Sequence, residues 1–154
     1  MDYKKETVET YNIYARDYDA ITRKFAEKKL KFETDFFLSK LSGKRILDIG
    51  CGPGRDLAYF TGQGYRATGI DLSSEMVRLC REKKLDARLM DFEEIRFKER
   101  SFDGIWSYTS LLHAPKNNLW KILRGVNKVL REDGVFFLGL KRGKGEFVKK
   151  SAKY

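Results

Sequence analysis

Three glycines at alternate positions, Gly50, Gly52 and Gly54, follow the apolar run Ile46-Leu47-Asp48-Ile49 and precede an amphipathic segment that begins at Arg55. Glycine has no side chain to hold a ligand away. A glycine turn between a strand and a helix therefore presents bare backbone N–H groups to whatever binds there. Asp71 closes the next strand-like run about 20 residues on, where a βαβ unit sets a carboxylate over a ribose. Asp91 closes a third such run, and Ser107 stands near the end of a fourth. Beyond it comes His113, the only histidine, whose imidazole can take up a proton near neutral pH. Upstream, Tyr11, Tyr14, Ala15 and Tyr18 recur at helical spacing and share one face. That stripe either packs on the core or covers a ligand, and aromatic faces suit a cationic one. Cys51 lies inside the turn, where small residues are needed. Nothing near it supplies the base that a nucleophilic thiol requires, so its thiol reads as incidental.

The glycine spacing narrows the ligand. A dinucleotide fingerprint, G-x-G-x-x-G, would place its third glycine where Arg55 stands. The chain instead reads Asp48-x-Gly50-x-Gly52-x-Gly54, and the nicotinamide reading falls away.

The elements that must position these residues alternate. Helices are expected over 4–18 and 23–41, the second with Phe25, Leu30, Phe32, Phe36, Phe37 and Leu41 as its apolar positions. Strands are expected over 45–50, 66–72, 86–90, 102–108 and 135–140. Helices follow over 55–63, from Ser73 as N-cap to about 84, and from an Asn117 or Asn118 cap through Val129. Residues 93–101 and 110–115 read as loops or short turns, and Glu132-Asp133-Gly134 as a tight turn. This alternation predicts an α/β fold, a three-layer αβα sandwich around a doubly wound, mainly parallel sheet. Ligands in such sheets bind beyond the strand C-termini, where Gly50, Asp71, Asp91 and Ser107 gather.

At 154 residues the chain is long enough for one domain with a real core. We divide it into N-terminal helices (1–43), a binding core (44–140) and a basic tail (141–154). No stretch approaches the roughly 18 apolar residues of a membrane span, and the polar N-terminus is no signal peptide. Two cysteines without secretory context read as free thiols, too few for a structural zinc site. A soluble, cytoplasmic protein without a metal is expected. The net charge of +10 invites a nucleic-acid reading, but much of the excess sits in the tail, at Lys141, Arg142, Lys144, Lys149, Lys150 and Lys153.

Four strings resemble the class I S-adenosylmethionine-dependent methyltransferases in order and spacing. They are Leu47-Asp48-Ile49-Gly50-Cys51-Gly52-Pro53-Gly54, Gly69-Ile70-Asp71-Leu72-Ser73, Ser101 to Ser107 followed by Leu111-Leu112-His113, and Val129 to Leu138. Tyr14-Ala15-Arg16-Asp17-Tyr18-Asp19 resembles the N-terminal helix of small members. The resemblance implies a Rossmann-like sheet of order 3-2-1-4-5 and S-adenosylmethionine as methyl donor, with S-adenosylhomocysteine as product. It assigns cofactor binding to Tyr11, Tyr18, Asp48, Gly50, Cys51, Gly52, Gly54, Asp71, Leu72, Asp91, Phe92 and Ser107. Asp71 would take the ribose, and Asp91 with Phe92 the adenine. Asp48 would brace the loop or hold the methionine part. Tyr18, by facing the sulfonium, and His113, as a base, are the candidates to act at the reacting centre.

The expected reaction is methyl transfer to a small-molecule O or N acceptor. RNA methylation and a non-catalytic cofactor-binding module are the alternatives. No carboxylate ends the fourth strand, so no catechol-type magnesium site is supported. The family continues past the fifth strand with a helix and strands 6 and 7. Here only fourteen residues follow Leu140. The expectation is therefore a truncated C-terminus and an exposed fifth-strand edge open to self-association.

Overall fold

In a computed structural model the chain is described over residues 3–143, apart from the side chains of 24–29. Phe25 and residues 144–154 of the basic tail thus lie outside the described residues.

Five strands form one sheet: β1 (Arg45–Ile49), β2 (Arg66–Asp71), β3 (Ala87–Leu89), β4 (Phe102–Tyr108) and β5 (Leu130–Gly139). Their order is β3-β2-β1-β4-β5, every neighbouring pair being parallel. The central strands are apolar because both faces are covered. Along β1 the side chains alternate between two cores. Ile46 packs with Phe37, Leu57, Phe60 and Trp106, while Leu47 and Ile49 pack with Ile105, Ile122 and Val126. The first core lies beneath α2 (Lys31–Ser39), α3 (Arg55–Gly62) and α4 (Ser74–Glu82), and the second beneath α5 (Leu119–Val129). A third cluster, Ala15 with Met76 and Leu79, seats α1 (Tyr3–Lys29) on α4.

Three details differ from the sequence expectation. The N-terminal helices do not divide near residue 20. α1 runs unbroken to Lys29, and the break falls at Leu30. No glycine or proline interrupts residues 19–22, and the Asp19–Arg23 ion pair spans one helical turn. The chain bends where it can drop Leu30 into the core, and Leu30 is 4% exposed. Asn118 occupies the N-cap of α5, but its side chain makes no cap bond; it donates to Glu93 Oε1 at 3.1 Å. Glu132-Asp133-Gly134 is no free turn. It is absorbed into β5 as an irregularity between the Phe102–Leu130 and Gly104–Val135 pairs.

Among the described residues β5 is the outer strand, but of its expected apolar edge only Leu138 is exposed, at 40%; Val135, Phe136 and Phe137 are half-buried against the two cores. No described helix is long and apolar enough to cross a membrane.

Candidate active site

A cavity open to solvent lies between the C-terminal ends of the central strands and the underside of α1. Its floor is the glycine turn. Gly50 adopts φ +68°, and a Cβ there would stand 2.2 Å from the Ser110 Cβ. Glycine is required twice over, by conformation and by contact. Ser110 explains the contact: its Oγ donates to the Ile49 carbonyl at 2.7 Å and pairs with Ser107 Oγ at 2.8 Å. These two serines tie the end of β4 to the turn. Ser107 is fully buried and braces the site instead of lining the cavity.

Gly52, at φ +54°, turns its N–H toward Asp71. Asp71 Oδ2 accepts from Gly52 N and Oδ1 from Ser73 N, both at 2.9 Å. Burial pushes the Asp71 carboxyl above its usual range, against the lowering effect of those amides. Ser73 caps α4 as expected: its Oγ accepts from Met76 N at 3.2 Å and donates to Asn12 Oδ1 of α1 at 2.6 Å. Asp71 is thereby fixed between the turn and a helix N-terminus, with Leu72 and Phe92 on the same cavity wall.

α1 supplies the roof. Tyr18 stands over Gly52, with its Cε1 3.8 Å from where a Cβ on Gly52 would be. Tyr11 meets Tyr18 edge-on at 5.5 Å between ring centres, and meets His113 in the same way at 5.5 Å. Tyr11 Oη and His113 Nε2 are hydrogen-bonded at 3.0 Å. An aromatic chain therefore crosses the cavity from the glycine turn to the end of β4. Burial and then Tyr18 hold Tyr11 above its usual value, so it stays a phenol. Burial, with the Lys141 ammonium adding to it, lowers His113 below 6.5. Thr109, on the cavity wall, adopts φ +56°, an outlier for a β-branched residue and a mark of local strain at the site.

The structure brings Tyr11, Tyr18, Gly50, Gly52, Asp71, Leu72, Phe92 and His113 together around the cavity. It places five others elsewhere. Gly54 is the left-handed N-cap of α3, packed against Leu85 and Cys80. The Cys51 and Cys80 thiols are buried and both point at the Gly52 carbonyl, at 3.6 and 3.2 Å. The bond to Cys80 and burial raise the Cys51 thiol, which makes it inert at neutral pH. Asp91 does not face the cavity. Its Oδ2 accepts from Lys4 Nζ at 2.6 Å and its Oδ1 from Glu93 N at 2.8 Å. Ser107 lies beneath the cavity, bonded to Ser110.

Asp48 is the fifth. It is 2% exposed, sits below the turn, and leaves its Oδ2 without a hydrogen-bond partner. Burial, and then the neighbouring Asp56 carboxylate, raise it well above 3.8. The folded state therefore holds a proton that the unfolded chain releases, and stability drains away as pH rises from 3.8 through the folded value. Asp48→Asn removes this cost and is expected to raise stability by roughly 1 kcal/mol at pH 8. Urea unfolding at pH 5 and pH 8 checks it: the gain should be larger at pH 8, and a loss at pH 8 would refute it.

Sequence reasoning missed the residues that hold the roof down. Tyr3 and Lys4 line the cavity, and both reach Glu93. Among the described residues no cluster of His, Cys, Asp and Glu is arranged to hold a metal.

The donor set fits S-adenosylmethionine. A side chain at Gly52 would project into the gap beneath Tyr18. That gap lies between Asp71, fit for a ribose diol, and a tyrosine face, fit for a sulfonium.

The sequence matches the Methyltransferase domain family over residues 47–138. It is 32% identical to an uncharacterised protein of Methanocaldococcus jannaschii, over 83% of this chain and 49% of that protein. It is 31% identical to the 27-O-demethylrifamycin SV methyltransferase of Amycolatopsis mediterranei, over 80% of this chain and 48% of that enzyme. Among solved structures it resembles the Burkholderia thailandensis 1,6-didemethyltoxoflavin-N1-methyltransferase, bound to its substrate and S-adenosylhomocysteine. The TM-score is 0.67 at 27% identity, over 86% of this chain and 58% of that one. The chain thus spans about half the length of the curated relatives it matches. With residues 47–138 matched and the motif-bearing strands in the expected order, the chain belongs to the class I S-adenosylmethionine-dependent methyltransferases.

Proposed function

We propose that this protein transfers a methyl group from S-adenosylmethionine to an O–H or N–H of a small molecule. The observation that carries the reading is the continuity of one cavity from Gly52 and Asp71 to the Tyr11–His113 pair. When bound, the cofactor supplies a methyl group on a sulfonium, ready for in-line displacement. Asp71 holds the ribose, Phe92 lines the adenine pocket and Tyr18 faces the cation. His113, neutral at pH 7, accepts the proton that the acceptor loses, and Tyr11 orients the imidazole. α1 roofs the site and narrows its opening to solvent. Two of the relatives named above carry small-molecule acceptors in their names, which supports that substrate class.

The test has two steps. Calorimetry should show stoichiometric binding of S-adenosylhomocysteine, in preference to NADH. A methyl-transfer screen against metabolite and RNA pools should then label small molecules. Absent binding would overturn the reading. Labelling confined to RNA, with binding that weakens steeply with salt, would replace the acceptor class.

A further inference from the structure

The N-terminal turn of α1 is fastened by contacts that its helical neighbours do not make. Farther along, α1 is anchored on α4. Asn12 takes the Ser73 hydroxyl, Ala15 packs on Met76 and Leu79, and Lys83 bridges Asp19 Oδ1 at 2.6 Å to the Pro53 carbonyl at 2.7 Å. The first turn instead leaves α4 and reaches across the cavity mouth to the 3-10 turn Phe92–Glu94. There Glu93 accepts from the Tyr3 hydroxyl, from Lys4 Nζ at 3.0 Å and from Asn118 Nδ2 at 3.1 Å. Lys4 Nζ also closes on Asp91 Oδ2 at 2.6 Å. The Glu93 side chain is 7% exposed, whereas that of Lys4 is 28% exposed. Glu93 is thus a half-buried hub, bonded to Asn118 at the N-terminus of α5, and the two residues that grip it come from the roof. Tyr3 and Lys4 also line the cavity, beside Phe92.

We propose that Tyr3 and Lys4, closing on Glu93 and Asp91, form a releasable latch that gates passage of the cofactor into and out of the cavity. The anchored part of α1, from Asn12 to Asp19, stays on α4 as the hinge, and the turn before it swings. Glu93 is a positioning residue. It does not line the cavity, and it acts through Tyr3 and Lys4. The inference rests on the reading of this cavity as the cofactor pocket.

A gate alters both directions of traffic, whereas a contact to the bound ligand alters release alone. Stopped-flow binding of S-adenosylhomocysteine separates the two. Lys4→Met keeps the apolar stem and removes the ion pairs to Asp91 and Glu93. It is expected to raise the association and dissociation rates together, by about tenfold for two partly exposed pairs, with little change in Kd. Tyr3→Phe should move both rates the same way by less. S-adenosylhomocysteine has no net charge at neutral pH, so salt cannot steer it. The wild-type association rate should nonetheless rise between low and high salt as the latch is screened, and the rise should vanish in Lys4→Met. If Lys4→Met changes dissociation alone, or neither rate, the latch is refuted. Should that variant fail to fold, a salt-independent association rate in the wild type refutes it equally. A wild type that binds no S-adenosylhomocysteine overturns the pocket assignment itself, and Asp71→Ala, which removes the ribose ligand without touching the latch, keeps the two failures apart.

Discussion

Asp71→Ala is expected to weaken S-adenosylhomocysteine binding by about 10²- to 10⁴-fold, from the loss of two charge-assisted hydrogen bonds of roughly 1.5–3 kcal/mol each. The carboxylate is held in place before any ligand arrives, by Gly52 N on one oxygen and Ser73 N on the other. Each oxygen keeps lone-pair capacity for a ribose hydroxyl. Alanine removes both acceptors and also frees the Gly52 amide that sets the floor of the cavity. Asp71→Asn keeps the shape and loses the charge, so its effect should be smaller, about tenfold. Folding should survive, because burial already holds the native carboxyl above its usual range and its removal relieves that cost. The same burial predicts a pH dependence. The ionised form accepts the hydroxyls, so affinity should decline as pH falls through the raised Asp71 value, a limb that begins above 3.8. Calorimetry across pH, with thermal melts as a control for folding, checks both. An affinity within threefold of wild type in Asp71→Ala would place the ribose elsewhere.

The reach of sequence reasoning tracks how local each determinant is. The glycine turn, the aspartate closing β2 and the Ser73 cap were legible because each is written in a few consecutive residues. The sheet order followed from four such strings in series. The break at Leu30 was not legible: no proline or glycine marks it, and what decides it is the burial of one leucine against distant partners. The Lys4 and Tyr3 contacts to Asp91 and Glu93 join residues about 90 positions apart. Lysines and glutamates are scattered throughout the chain, so composition gave no reason to pair these. Asp91 shows the cost of that blindness. Its place after β3 predicted a carboxylate facing the ligand, yet the structure turns it to the lysine from α1 and the Glu93 amide, away from the residues that line the cavity. Asp48 and Ser107 show a second limit. Strand position fixes which end of the sheet a residue reaches. Whether its side chain meets the cavity or the layer beneath depends on packing, here the Ser107–Ser110 pair and the buried position of Asp48 under the turn.

The imidazole of His113 carries the second large expected effect. His113→Ala should lower kcat by about 100-fold or more, the usual contribution of a positioned general base. S-adenosylhomocysteine affinity should hold within a fewfold, since Asp71 and the glycine turn are untouched. The basis is the neutral state of the ring. Burial first, and the Lys141 ammonium second, push its pKa below 6.5. A base that is unprotonated at pH 7 and bonded to a tyrosine that remains a phenol can accept a proton without first having to lose one. Because this is the only histidine, its ring proton resonance titrates without overlap, and the midpoint should lie below 6.5. Between that midpoint and 6.5 the unfolded chain binds more protons than the folded one, so stability should fall as pH drops through this window and level off below it. The rate of methyl transfer should lose activity along the same acid limb, and His113→Ala should abolish the limb along with the rate. Tyr11→Phe supplies the finer distinction: it keeps the imidazole but releases its orientation, so kcat should fall less while the limb persists with a shifted midpoint. If His113→Ala turns over within threefold of wild type, the methyl transfer relies on approach geometry alone. The aromatic chain across the cavity would then be a wall and not a proton path.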